Sequence, residues 1–161
     1  RAMNTLQQLQ RNIYVLGSLV QQVQHWRAKQ QSIVFTNGCF DLLHKGHLHT
    51  LSRAADLGHK LIIGLNTDAS IRLLKGKNRP INTQDDRAYI LASLEVVDYL
   101  VIFQEDTPFE LIKLIKPDVL IKGGDYEGKK VVGQDIAKEL KLVRFIDGKS
   151  TTNTIKRIQK V

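Results

Sequence analysis

The sequence predicts an α/β fold, a doubly wound parallel sheet of about five strands. Three observations carry that expectation. From Ser32 onward, short apolar runs rich in β-branched residues alternate with helix-like stretches. The runs read as strands covered on both faces, which is the habit of parallel sheets with helical crossovers. A glycine-containing turn, residues 37–47, joins the first run directly to a helix. Ligands of such sheets bind at the C-terminal ends of the strands, near the point where the strand order reverses.

The elements follow in order. The first thirty residues are rich in Gln and carry Leu6, Leu9, Ile13, Leu16, Val20 and Val23 at helical spacing. They predict one or two amphipathic helices, with Gly17 as a break. Residues 1–31 are thus expected to form a helical extension on the domain built by residues 32–161, covering one face of the sheet or forming a subunit contact. Strands are expected at Ile33–Thr36, Lys60–Leu65, Tyr99–Phe103, Val119–Ile121 and Leu142–Ile146. Helices are expected at His47–Leu57, Asp68–Leu74 and Thr83–Glu95. A further helix opens at Thr107, with Thr107 as N-cap, Pro108 at the first helical position and Glu110 at the third.

Composition bounds the function. A chain of 161 residues, 42% apolar and 25% charged, fits one domain with a core of its own. No apolar run approaches the roughly 18 residues of a membrane span, and no secretory signal is visible, so neither membrane nor export is expected. Cys39 is the single cysteine, which excludes an intrachain disulfide and fits a cytoplasmic setting. The net charge of +8 favours polyanions. The basic residues are dispersed and aromatics make up 6%, with no stacking platform between the basic positions, so nucleotide phosphates are favoured over nucleic acid.

The turn Asn37-Gly38-Cys39-Phe40-Asp41-Leu42-Leu43-His44-Lys45-Gly46-His47 is the most informative stretch. It delivers two histidines to a helix N-terminus, where backbone N–H groups and the helix dipole favour an anion. Each imidazole adds an N–H donor. Such donors suit the charge of a phosphoryl group in transit. A zinc site built on His44, His47, Asp41 and His49 is the rival, but no further ligands stand at characteristic spacing, so no dedicated metal is expected. Asp41 is expected to order the turn. Cys39 is read as a small residue lending its N–H, not as a nucleophile.

Gly38-x-Phe40-Asp41-x-x-His44-x-Gly46-His47 resembles the GxFDxxHxGH motif of the cytidylyltransferase-like nucleotidyltransferases. The resemblance implies a Rossmann-like sheet of the HxGH type and transfer of a nucleotidyl group to a phosphorylated small molecule with release of pyrophosphate. It implies nucleotide contacts from Asn37, Gly38, Cys39, Phe40, Asp41 and Gly46, with His44 and His47 catalytic. In relatives a lysine near Leu74-Lys75-Gly76 approaches the triphosphate, which makes Lys75 the third catalytic candidate. Arg79 is a weaker, substrate-binding candidate. Arg87 matches an arginine of relatives and reads equally as a helix-surface ion pair. Lys122-Gly123-Gly124-Asp125-Tyr126 follows the fourth strand, with Lys122, Gly123, Gly124 and Asp125 expected at the nucleotide and Tyr126 at the acceptor. Ser150-Thr151-Thr152 matches the family's late Ser/Thr-rich motif. Its hydroxyls either cap the last helix or hold phosphate, with Thr151 and Thr152 expected at the phosphate.

Taken together, Phe35 to Asp41, Leu74-Lys75-Gly76 with Arg79-Pro80, Glu105 to Pro108, Lys122 to Tyr126 and Asp147-Gly148 before Ser150 resemble the D-glycero-D-manno-heptose 1-phosphate adenylyltransferases. The resemblance implies ATP and a sugar 1-phosphate as substrates, ADP-heptose and pyrophosphate as products, and a place in lipopolysaccharide inner-core synthesis. It also implies Mg²⁺ arriving with the ATP and a homo-oligomer, a dimer foremost. That activity is sometimes fused to a sugar kinase, for which this chain has no room, so the stand-alone form is expected. Glycerol-3-phosphate cytidylyltransferase is the alternative within the superfamily. A basic RNA-binding module is the alternative from another class.

Overall fold

The computed structural model describes residues 2–14, 16–124, 128–144, 146 and 148–161. The chain runs α1 (Thr5–Arg11), β1 (Ile13–Tyr14), α2 (Leu16–Ala28), β2 (Ile33–Gly38), α3 (Lys45–Ala55), β3 (Lys60–Asn66) and α4 (Asp68–Lys75). It continues through α5 (Gln84–Ala92), β4 (Tyr99–Phe103), α6 (Phe109–Ile115), β5 (Val119–Gly123), β6 (Glu139–Val143) and α7 (Thr151–Ile158). The strands form one parallel sheet in the order β1-β4-β3-β2-β5-β6. The order reverses at β2, between β3 and β5.

Apolar strands bury both faces. On one face Val34, Leu61, Ile63, Leu65, Leu100 and Ile121 pack with Leu51 and Ala54 of α3 and Ala88 and Leu91 of α5. On the other, Ile33, Phe35, Ile62, Val101 and Leu120 meet Leu19, Val23 and Trp26 of α2 and Leu111, Ile112 and Ile115 of α6. Each fully buried Leu, Ile or Phe contributes about 1.5–3 kcal/mol of transfer free energy, so these two layers hold the sheet.

Register opens the site. β2 pairs with β3 along its whole length, from Ile33↔Lys60 to Gly38↔Leu65. Its ladder with β5 holds Val34↔Val119 and Phe35↔Leu120 and then stops, although both strands run on. Beyond that point the Thr36 hydroxyl donates to the Ile121 carbonyl at 3.2 Å. The two strands therefore part at their C-terminal ends, where the strand order reverses.

The structure corrects several expected boundaries. The N-terminal helix does not break at Gly17, which lies within α2. It breaks at Asn12 to Tyr14, because Ile13 and Tyr14 extend the sheet against β4 and Leu100 N–H donates to Asn12 C=O at 2.9 Å. The Thr107 helix starts later, with Pro108 as N-cap and no side-chain cap, since the first helical bond runs from Ile112 N–H to Pro108 C=O. The last strand lies at Glu139–Val143, not Leu142–Ile146. Backbone pairing with β5 places it there despite its mostly exposed, mixed composition.

Candidate functional site

The first turn is held by its own side chains. Phe40 and Leu42 both take φ of 48°, a left-handed conformation costly for non-glycine residues. Phe40 anchors it, 8% exposed in the core, with its ring centroid 5.7 Å from that of His47. Asp41, 2% exposed, accepts the N–H groups of Ile81 at 2.6 Å and Asn82 at 3.0 Å. It orders the turn, as expected, and also binds the loop between α4 and α5 to it. Its own carbonyl accepts the Thr151 hydroxyl at 2.8 Å. One residue thus ties three loops together.

His44 is the N-cap of α3, so the helix starts at Lys45 and not at His47. Its Nδ1 accepts from Gly46 N–H at 3.0 Å, the role usually taken by Ser or Asp. His47 Nδ1 accepts in turn from His44 N–H at 3.2 Å. A neutral imidazole that accepts at Nδ1 carries its proton on Nε2. Both rings, 3.9 Å apart, are thereby set as Nε2–H donors. Burial holds the His47 pKa down, at about 4, with His44 adding to the effect and Asp41 opposing it. The pKa of His44 is also lowered, by burial and then by the Lys149 charge. Both donors are therefore uncharged at neutral pH.

A cleft of about 650 Å³ opens where β2 and β5 part. It is lined by Thr36, Asn37, Gly38, Cys39, Phe40, Asp41, His44, Gly46 and His47 from the first motif. Lys75, Arg79, Lys122, Gly123, Gly124, Ser150, Thr151 and Thr152 join them from the other loops. Gly124 takes φ of 106°, where a side chain would be strained, and its N–H donates to Val143 C=O at 3.0 Å. Asp125 and Tyr126, and Asp147 before the late motif, lie outside the described residues. Among the described residues no group of three or more His, Cys, Asp or Glu is placed to hold a metal ion.

Arg87 and Thr151 take different places from those expected, and Ser150 takes the capping alternative. Arg87 is not in the lining. Its side chain is fully buried, donating to the carbonyls of Asn82 at 3.0 Å, Cys39 at 2.7 Å and Asn66 at 3.0 Å and pairing with Asp68 at 2.8 Å. It buttresses the first turn from beneath instead of contacting a ligand. Ser150 caps α7, accepting Asn153 N–H at 3.0 Å. The Thr151 hydroxyl donates to Asp41 C=O, and Thr152 stands exposed beside it in the cleft lining. Cys39 is half-buried, and burial pushes its thiol pKa up against the pull of Lys75, Arg87 and Arg79, consistent with a residue that lends its backbone.

Sequence reasoning missed Thr36, Thr50, Ile146, Gly148, Lys149 and Asn153 in the lining. Lys149, directly before the Ser/Thr motif, was the one with a visible signal.

A family model described as cytidylyltransferase-like matches residues 35–159. The bifunctional protein HldE of Aliarcobacter butzleri is 74% identical over 129 residues, which cover 80% of this chain and 27% of that protein. The bifunctional protein HldE of Wolinella succinogenes is 55% identical over 150 residues, covering 93% of this chain and 32% of that protein. The chain thus spans about a third or less of the length of these curated relatives. The crystal structure of a lipopolysaccharide core biosynthesis protein from Thermoplasma volcanium is 30% identical with a TM-score of 0.59, covering 72% of this chain and 97% of that one. Pantoate-beta-alanine ligase from Francisella tularensis, 16% identical with a TM-score of 0.53 over 88% of this chain and 77% of that one, shares the fold. With its GxFDxxHxGH turn at the head of α3 and the family match running from β2 through α7, the chain belongs to the cytidylyltransferase-like family.

Proposed function

We propose that this chain transfers AMP from ATP to D-glycero-D-manno-heptose 1-phosphate, giving ADP-heptose and pyrophosphate for lipopolysaccharide inner-core synthesis. The observation that carries the reading is the convergence of two neutral Nε2–H donors, the N-termini of α3 and α7 and the cationic side chains Lys75, Arg79 and Lys122 on one cleft. That set suits a nucleoside triphosphate meeting a second phosphate. The names of the relatives support the acceptor. A 30% identical structure is of a lipopolysaccharide core biosynthesis protein.

In the proposed reaction an acceptor phosphate oxygen attacks the α-phosphorus in line. The bond from the α-phosphorus to the bridging oxygen breaks, and pyrophosphate leaves with the electron pair. The acceptor is already an anion near neutral pH, so no general base is required. His44 and His47 donate to the phosphoryl oxygens as charge shifts toward the leaving group. Lys75 supplies positive charge along the triphosphate. Thr152 donates from the head of α7. Asp41 holds the three loops in register, and its carboxylate is already occupied by two backbone N–H groups. Mg²⁺ enters as part of the substrate, bound to the ATP phosphates, and offsets their charge there.

Pyrophosphate release tests the reading. The protein is incubated with ATP or CTP, each with heptose 1-phosphate or glycerol 3-phosphate, with and without added Mg²⁺. Turnover is expected with ATP and heptose 1-phosphate when Mg²⁺ is present. Preference for CTP and glycerol 3-phosphate would overturn the assignment of both substrates.

A further inference from the structure

Lys149 comes from the turn after β6, far along the chain from the first motif, yet it stands against that motif. A Cβ built on Gly46 would lie 2.8 Å from His44 Cε1 and 3.2 Å from Lys149 Cβ. Glycine at 46 is therefore a requirement of space. It lets the imidazole and the stem of the lysine share one wall of the cleft, and both line it. The lysine is fixed at its base, since Lys149 N–H donates to Ile146 C=O at 3.2 Å and the next residue, Ser150, caps α7.

We infer that Lys149 is a further phosphate-binding residue of this cleft, placing its ammonium beside His44 on the triphosphate of the nucleotide. The inference rests on the nucleotidyl-transfer reading above and adds to it a specific division of labour. The two imidazoles are uncharged donors. They give direction to a developing oxyanion but bring no net charge to a ligand that carries several negative charges. Lys149 adds charge to that of Lys75, and its place beside His44 adds to the burial that holds the pKa of that ring down. The other groups facing His44 are His47, with ring centroids 3.9 Å apart, and Gly46 N–H on its Nδ1. A long, exposed lysine can reach a phosphate without disturbing either of those contacts.

The test compares wild type with Lys149→Met, Lys149→Arg and Lys156→Met. Lys156 lies on the exposed part of α7 and outside the cleft lining. Calorimetric titration with Mg-ATP reads affinity, and proton NMR reads the titration of His44 in the ligand-free protein. Lys149→Met is expected to weaken ATP binding on the order of ten-fold, the scale of one charge-assisted hydrogen bond. It is also expected to raise the His44 midpoint. Lys149→Arg should restore affinity and Lys156→Met should leave it unchanged. ATP affinity equal to wild type in Lys149→Met, or equal losses in Lys149→Met and Lys156→Met, would overturn the inference and leave the nucleotidyl-transfer reading standing. Wild-type protein that binds no nucleoside triphosphate would overturn both.

Discussion

At the N-terminal edge of the sheet, Asp118 precedes β5 and accepts Ile33 N–H at 2.7 Å, the Arg27 guanidinium at 2.7 Å and the Lys138 ammonium at 2.9 Å. Asp98 precedes β4 in the same way and accepts Leu61 N–H at 2.8 Å, with Lys60 at 3.9 Å. Each carboxylate accepts a backbone N–H of a neighbouring strand, and Asp118 pairs with two cations and Asp98 with one. At the C-terminal edge, Lys75, Arg79, Lys122 and Lys149 line the cleft, and Asp41, whose carboxylate accepts two backbone N–H groups, also stands 4.0 Å from Arg79 Nε. At the first edge the charged side chains serve the fold. At the second, cationic side chains line a cleft that suits an anionic ligand.

That contrast can be broken most sharply at the histidines. His47→Ala is expected to lower kcat on the order of 10²–10³-fold while moving the melting temperature little, the signature of a lost transition-state donor. His44→Ala should lose as much in kcat and also about 1 kcal/mol of stability, because His44 caps α3. His44→Asn separates the two roles. Asparagine can cap the helix and restore the melting temperature, but it lacks the reach of Nε2, so kcat should stay low. Near-normal turnover in His47→Ala and His44→Asn would place the chemistry elsewhere.

The opposite edge should respond the opposite way. Asp118→Ala leaves Ile33 N–H and one nitrogen of the part-buried Arg27 guanidinium without an acceptor, while the other nitrogen keeps the Lys116 carbonyl. A loss of about 2–3 kcal/mol follows, roughly 5–10 °C in the thermal midpoint. Turnover per folded molecule should be unchanged. A drop in kcat without a drop in midpoint would mean that the two edges are not separate in function.

Acid sharpens the comparison, because the two edges lose stability in different windows. Burial and the neighbouring His44 depress the folded-state pKa of His47 to about 4, against an unfolded value of about 6.5. Between these values the unfolded chain takes up a proton that the folded one refuses, so its contribution falls as pH drops from about 6.5 to 4. Asp118 is also depressed: burial pushes its pKa up, but the Ile33 N–H, Lys138 and Arg27 together outweigh that. Its contribution is complete above the unfolded value of about 4 and is lost as pH falls through its folded value. His47→Gln should therefore flatten the upper part of the acid-melting profile and Asp118→Ala the lower part. NMR should place the His47 midpoint in the free protein near 4, and a midpoint near 6.5 would remove the upper window.

The legibility of this molecule in its sequence follows the same division. β2 to β5 and their helices could be read because both sheet faces are apolar, and the first turn because its chemistry is contiguous. β1 could not, since two residues carry no periodicity and become a strand only by pairing with β4. β6 was displaced because Leu142 and its apolar neighbours suggest a strand where backbone pairing favours Glu139 to Val143. In the site, Lys149 has no role in the sequence reading, and Arg87 reads as a ligand contact or a helix-surface pair, for one reason. Their roles depend on neighbours distant in sequence: Gly46 and His44 for Lys149, and the carbonyls of Cys39, Asn66 and Asn82 for Arg87. Spacing along the chain carries no record of such contacts.

The smallest effects separate two adjacent hydroxyls in the late motif, where structural and ligand-facing roles stand side by side. Thr151 and Thr152 both line the cleft at the head of α7. Thr151 donates to Asp41 C=O, joining the last loop to the first turn. Removing that bond in Thr151→Val should cost about 1 kcal/mol, visible as an earlier thermal midpoint, with a secondary rise in KM as the loop loosens. Thr152 is exposed and lies beside the N–H groups that open the helix. Valine there keeps the shape and removes the hydroxyl, so Thr152→Val should raise the KM for ATP several-fold and leave the midpoint within about a degree. The ratio of the two responses is the informative quantity. If Thr152→Val melts early and binds ATP normally, the segment belongs with Asp118, among the groups that hold the sheet together.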